Sequence, residues 1–279
     1  MTTAQEQQLK TEVATGRFKS AAMAATFIRD TFGKTFSPSG TRKLLARLGC
    51  TFHKASSFLF KAKRDKQEEW LKDYEQDKPK VESAGWRRYF IDGVHPLYGM
   101  EVLYYCWLLK GQRLELGVGG GRKRLNILGA FCPDDHEYLD RRYTDKNLNA
   151  LSVIELFERM MQKHPETKHF RIYLDNARYQ HAKVLKAWIA QTMVDKGVTF
   201  DLKHLPAYSP NLNLIERLWK FLRKEALQTW HESFEKMQEA VAKVLENLGD
   251  YKEQLKTLMT ERFHLTPELA TLVIDNVIV

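Results

Sequence analysis

Residues 168–205, KHFRIYLDNARYQHAKVLKAWIAQTMVDKGVTFDLKHL, read as strand, helix and strand in turn. The first piece is an apolar run that stops abruptly at Asp175–Asn176. Residues 177–195 then place apolar side chains at helical spacing, and 197–205 return to a strand pattern. Upstream, RRYFIDG (87–93), EVLYYCWLL (101–109), QRLELGV (112–118) and RLNILGAF (124–131) read as four strands, with PDDHEY (133–138) as the turn after them. NLNALSVIELFERMMQKH (147–164) is a helix. Downstream, LPAYSPNLN (205–213) is a loop that feeds the helix LIERLWKFLRKEAL (214–227), and two or three further helices follow from Thr229. Antiparallel-looking strands followed by alternating helix and strand predict a mixed α/β sheet with helices on its faces.

Two acids stand at strand ends in this scheme. Asp92 closes RRYFIDG and Asp175 closes RIYLD. Side chains at the carboxyl ends of such strands line the functional crevice, although an Asp after a strand is more often a turn former. Glu216 falls in the first turn of the helix after the loop, where Leu212, Leu214, Ile215, Leu218, Trp219 and Leu222 mark the buried side. A carboxylate drawn into that side is costly unless it is paired or bound to a metal. The alternative is a surface Glu favoured by the helix dipole.

The charge is unevenly placed. Residues 1–64 carry 12 Lys/Arg against 3 Asp/Glu, so the whole excess of +9 lies there and the rest of the chain is neutral. A basic module on a neutral body suggests an element that holds a polyanion. Within it, residues 4–14 are weakly helical and 19–31 (KSAAMAATFIRDT) form a helix. FGKTFSPSG (32–40) turns the chain, and Ser39 is placed to cap a second, basic helix that ends at Gly49. This is a helix-turn-helix layout or an ordinary helical hairpin. The exposed residues expected to meet DNA are Ser39, Thr41, Arg42 and Lys43, with Arg47 a turn later and Lys54, Lys61, Lys63 and Arg64 beyond. Thr51–Phe60 reads as a ribbon or wing, and the charged run 65–86 as a linker helix with a solvated face.

No apolar run approaches a membrane span, and the polar start lacks the layout of a signal peptide. Cys50, Cys106 and Cys132 are scattered and read as reduced thiols of an intracellular protein.

YFIDGVH (89–95), YLDNARYQ (173–180) and LPAYSPNLNLIERLWKF (205–221) resemble the three motifs of DDE transposases, more narrowly the bacterial insertion-sequence-630 family related to mariner elements. The third motif is the most specific and the first the least. The resemblance implies a ribonuclease-H-like catalytic domain over residues 87–228, an all-α helix-turn-helix domain over 1–64, a linker helix over 65–86 and a helical C-terminal extension over 229–279. It maps the acidic triad onto Asp92, Asp175 and Glu216. It also implies two Mg2+ or Mn2+ ions about 3.5–4 Å apart, stabilising the attacking and leaving oxygens of phosphodiester cleavage and strand transfer. In that scheme Asp92 bridges both ions, while Asp175 and Glu216 hold one each. The partners implied are transposon terminal inverted repeats and target DNA, bound by a homodimer in the bacterial cytoplasm at the nucleoid, with no membrane. Family members usually carry two helix-turn-helix modules; one is legible here, so the chain is expected to be shortened or one product of a split reading frame.

Other residues carry weaker signals. His95 could meet DNA or a metal-bound water, or be a hydrogen-bonded structural histidine; His204 reads as structural. Asp134 and Asp135 fit a turn. GVGGGRKR (117–124) lacks a phosphate-loop ending and reads as a hairpin whose Arg122, Lys123 and Arg124 touch DNA. Tyr208, Ser209, Asn211 and Asn213 are expected to shape the loop before Glu216 by local Asx-type bonding. Trp219 through Trp230 read as core packing.

Overall fold

A computed structural model describes residues 1–53, 61–99, 113, 115 and 123–266. The described residues divide into two compact units, one over 1–53 and the other over 61–266.

In the first unit, α1 (Thr3–Ala14), α2 (Ala21–Phe32) and α3 (Pro38–Arg47) enclose a small core of Leu9, Ile28 and Leu44, with Phe27, Phe32 and Phe36 packed against it. Ser20 caps α2, whose end is set by Gly33 in the left-handed conformation. The cap of α3 is Ser37, which accepts from the Gly40 N–H, so Ser39 lies inside the helix and not at its cap. The reason is Pro38: its fixed φ and missing N–H suit the first helical position. Thr41, expected to be exposed, is fully buried, and its hydroxyl donates to the Ser37 carbonyl at 3.0 Å. Ser39, Arg42, Lys43 and Arg47 are exposed. Arg47 is paired with Glu6 of α1 at 2.5 Å. Lys54 and most of the expected ribbon lie outside the described residues.

The second unit is a five-stranded mixed sheet over its described residues. Its strands are β1 (Arg87–Val94), β2 (Asn126–Phe131), β3 (Tyr138–Tyr143), β4 (His169–Leu174) and β5 (Thr199–His204), in the order β3-β2-β1-β4-β5. β1–β2 and β2–β3 are antiparallel, while β1–β4 and β4–β5 are parallel. On one face α5 (Ala150–Lys163) and α6 (Lys183–Lys196) cover Tyr89, Ile91, Leu128, Phe170 and Ile172. On the other, α4 (Arg64–Ser83), α7 (Ile215–Leu222), α8 (Phe234–Glu246) and α9 (Lys252–Leu258) cover Phe90, Ile127, Phe131 and Tyr173. This mixed α/β architecture agrees with the expected ribonuclease-H-like class.

Three differences from the sequence reading have physical causes. Strand β3 falls just after the expected turn over 133–138, in residues to which the sequence pattern assigns no element, because YLDRRY hides its strand character under charge. The buried Asp140 is satisfied by Arg142 at 2.7 Å and the Tyr138 hydroxyl at 3.1 Å, and Leu139 enters the core. Helix α4, read as a linker with a solvated face, also belongs to the core of this unit: Gln67, Tyr74 and Val81 are buried, and Trp70 and Leu71 pack beside them. The strands expected over 101–109 and 112–118, with Cys106 and Arg122, fall outside the described residues, save Arg113 and Glu115.

Candidate active site

Asp92 and Asp175 come together through sheet register. β1 and β4 run parallel with Phe90 beside Tyr173 and Ile91 beside Leu174. Asp92 and Asp175 each follow the last pair of this ladder, so both stand at the same end of the sheet, close enough for each to feel the other's charge. Glu216 is the second residue of α7, whose Ile215, Leu218, Trp219 and Leu222 are buried as the periodicity predicted. The three acids line one cleft of about 530 Å³, walled by the loop 205–210. All three are half-buried.

The loop before Glu216 is held by long-range bonds, where local Asx-type bonding was expected. Asn213 donates through Nδ2 to the Ile91 carbonyl at 3.0 Å, one residue before Asp92. Gln67 of α4, fully buried, donates to Ser209 Oγ at 2.9 Å and accepts from Asn211 Nδ2 at 3.0 Å and from the Thr266 N–H at 2.9 Å. Tyr208 sits in the left-handed region with φ 60 and is half exposed. Gln67 was missed in the sequence because it is one polar residue in a charged run. Its signal was the stripe it begins, with Trp70, Leu71, Tyr74 and Val81 at helical spacing.

Both aspartates have a positioned neighbour. Gln180 Nε2 donates to Asp175 Oδ1 at 2.5 Å, and His204 contacts the Asp175 carbonyl at 3.0 Å. Trp219, read as core, donates from Nε1 to Asp92 Oδ2 at 3.0 Å. Its ring lies over Gly129, the cross-strand partner of Asp92. A Cβ at Gly129 would stand 2.5 Å from Trp219 Cη2 and 3.0 Å from Tyr138 Cε2. Gly129→Ala is therefore expected to displace the indole that holds Asp92 and to cost about 1–3 kcal/mol of stability. Thermal unfolding checks this, and an unchanged melting temperature would contradict the packing argument.

The electrostatics are those of crowded acids. Burial first, then Glu216 and Asp175, push Asp92 up to about 8. Burial also raises Glu216, with Asp175 adding and Lys220 and Arg223 opposing. Tyr179 is held neutral by burial and by both aspartates. Two buried acceptors near these acids, Gln180 Oε1 and Asn213 Oδ1, lack a hydrogen-bond partner among the described residues. Negative groups driven together beside unsatisfied acceptors suit a hydrated cation. Among the described residues no three His, Cys, Asp or Glu converge to hold one ion between them.

The remaining candidates sort by position. His95 is tied to Asn126 at 2.7 Å, the structural role. Asp134 and Asp135 pair with Arg88 and Arg87 at the opposite end of β1. Lys123 and Arg124 border a separate hollow with Lys146 and Asn147. Lys123 lies 3.6 Å from Glu235, and Arg124 donates to Asn147. Lys61 and Lys63 are exposed, and Arg64 is paired with Glu68 at 2.8 Å.

Residues 87–239 match the sequence profile of the DDE superfamily endonucleases. The chain belongs to that superfamily. Residues 17–74 of this DDE endonuclease match a winged helix-turn-helix profile. Its fold is similar to that of a pre-cleavage Mos1 transpososome, with TM-score 0.60 and 12% identity over 93% of this chain and 80% of that one. It is similar also to Mos1 mariner paired-end complexes with Mn, at TM-score 0.60 and 14% identity, and with Mg, at 0.59 and 13%, over the same shares. No curated protein matches the chain in sequence. Among the described residues no helix of this endonuclease is long and apolar enough to cross a membrane.

Proposed function

We propose that this DDE endonuclease is a transposase of the insertion-sequence-630 kind, cutting transposon ends and joining them to target DNA. The carrying observation is that Asp92, Asp175 and Glu216, from three separate elements of the matched domain, line one cleft. Asp92, Asp175 and Glu216 would hold Mg2+ or Mn2+, two ions in the full site. Ions held by these carboxylates would supply charge neutralisation at the reacting phosphate oxygens and activation of the attacking water. The chain's own residues do the rest. Trp219 and Gln180 fix the aspartates, and Asn213 fixes the loop to β1.

Residues 1–64 would hold duplex DNA through Ser39, Arg42, Lys43 and Arg47, with 65–86 joining them to a catalytic body over 87–228 and its extension over 229–279. Lys54 and Arg122 belong to the same proposal by sequence alone. Transposon ends are cut in pairs, so a homodimer on DNA is the working assembly, in the cytoplasm where that DNA lies. The similar Mos1 structures, described as paired-end complexes and as complexes with Mn or Mg, support this reading.

The test is cleavage of a labelled duplex carrying candidate terminal repeats, with Mg2+, Mn2+ or EDTA. Cutting should require the metal, and Asp175→Asn should reduce it at least about 100-fold with duplex binding intact. An Asp175→Asn protein that cuts like the wild type would remove the triad from the proposal.

A further inference from the structure

A second groove runs beside the acid cleft and shares its wall. It has a volume of about 420 Å³, and Leu205, Pro206, Ala207 and Tyr208 border both hollows. Its other side is the start of α4, with Lys61, Lys63 and Trp70. Lys66, also on the rim, is taken up by Glu69 at 2.7 Å. Asp73 is the remaining acid of the lining. Lys61 and Lys63 make no ion pair among the described residues, and Lys61 Nζ stands 5.6 Å from the centre of the Tyr208 ring.

Tyr208 is the unusual member. Its backbone is left-handed, a conformation that a bulky residue adopts only when the surroundings impose it, and the imposed geometry leaves half of the residue in solvent. Held strain that presents an aromatic ring at the junction of two hollows marks a functional contact more than a packing one. An intact DNA duplex keeps its bases stacked inside, so it can meet such a residue through phosphate and sugar but cannot stack a base on the ring. An unpaired base can, because every base has a face that stacks on tyrosine while its phosphates meet nearby lysines.

We infer that this groove binds unpaired nucleotides next to the phosphate in the acid cleft, with a base on Tyr208 and the adjoining phosphates against Lys61 and Lys63. The inference rests on the reading of the cleft as a DNA-cutting site and adds the form of DNA held beside it.

The experiment is fluorescence anisotropy on the full chain in EDTA, where nothing is cut. It compares a blunt duplex with the same duplex bearing a short single-stranded 3′ extension. The wild type should bind the extended DNA roughly tenfold more tightly. Tyr208→Asn should lose that preference while its blunt-duplex affinity stays within about twofold, since Asn tolerates the left-handed backbone and keeps the loop folded. 2-Aminopurine at the first extended position should be quenched by the wild type and not by Tyr208→Asn. Tyr208→Phe should behave as the wild type. A wild type without preference overturns the inference, as does a Tyr208→Asn protein that keeps the preference or loses both DNAs equally. If the wild type shows the preference yet never cuts with Mg2+, the cleavage reading fails and the groove stands. If it cuts and shows no preference, only the groove fails.

Discussion

Replacing Asp92 by Asn is expected to abolish DNA cleavage and, in the absence of metal, to raise the melting temperature. The two effects share one cause. Asp92 is forced among Glu216 and Asp175 beneath the Trp219 indole, and its carboxyl group is pushed up to about 8. A carboxyl whose folded pKa lies above its unfolded value near 3.9 binds more protons folded than unfolded between those values. Stability therefore falls as pH rises from about 4 towards 8, the reverse of a salt-bridged aspartate. The amide removes that penalty, so Asp92→Asn should flatten this part of the profile and gain a few kcal/mol at most near neutral pH, because the cleft admits solvent. Added Mg2+ or Mn2+ should raise the melting temperature of the wild type by mass action and leave Asp92→Asn nearly unmoved. Denaturation across pH, with and without metal, measures both. A variant that melts below the wild type in EDTA, or responds equally to Mg2+, would sink the account of Asp92.

The sequence made the positions of these acids legible, but not what holds them. Asp175 was visible because an apolar strand ended abruptly on it, and Glu216 because the helix around it was apolar at regular spacing. Both are local signals. Trp219 could be assigned to the core by the same periodicity, yet its bond to Asp92 depends on Gly129, two strands' pairing away from any pattern in α7. Gln67 organises the loop from a helix 142 residues earlier in the chain. Thr41 lies one turn before Leu44 on the same face of α3, so it is drawn inward with the core residue, its hydroxyl satisfied by the Ser37 carbonyl. β3 was missed because its inward polar groups find partners only in the folded sheet. Contacts between distant segments, not composition, decide each of these.

Arg88 carries the second large effect. It is 1% exposed and its guanidinium meets three carboxylates, Asp134, Glu82 at 2.9 Å and Glu261 at 3.2 Å, together with the Tyr74 hydroxyl at 3.1 Å. These come from α4, the turn before β3 and the segment after α9, so one side chain of β1 ties three peripheral pieces to the sheet. Arg88→Met is expected to destabilise the protein by about 1.5–3 kcal/mol, since it strips the buried Tyr74 hydroxyl and the partly buried Glu261 of their cation while Glu82 and Asp134 are left to water. For a unit of this size that is a fall of roughly 3–12 °C in melting temperature. The pH dependence should change as well. Burial works against the charge of Glu261, but Arg88, Lys78 and Tyr74 hold its pKa below the ordinary value. A lowered carboxylate contributes stability above its unfolded pKa and loses it as pH falls through the folded one, so the wild type should weaken on acidification below about 4.5. Arg88→Met should flatten that acid limb. Arg88→Lys should recover only part of the loss, because an ammonium lacks the planar fork that reaches several carboxylates at once. A melting temperature within about 2 °C of the wild type for Arg88→Met would show that the acids find other partners and that β1 is not the tie for these pieces.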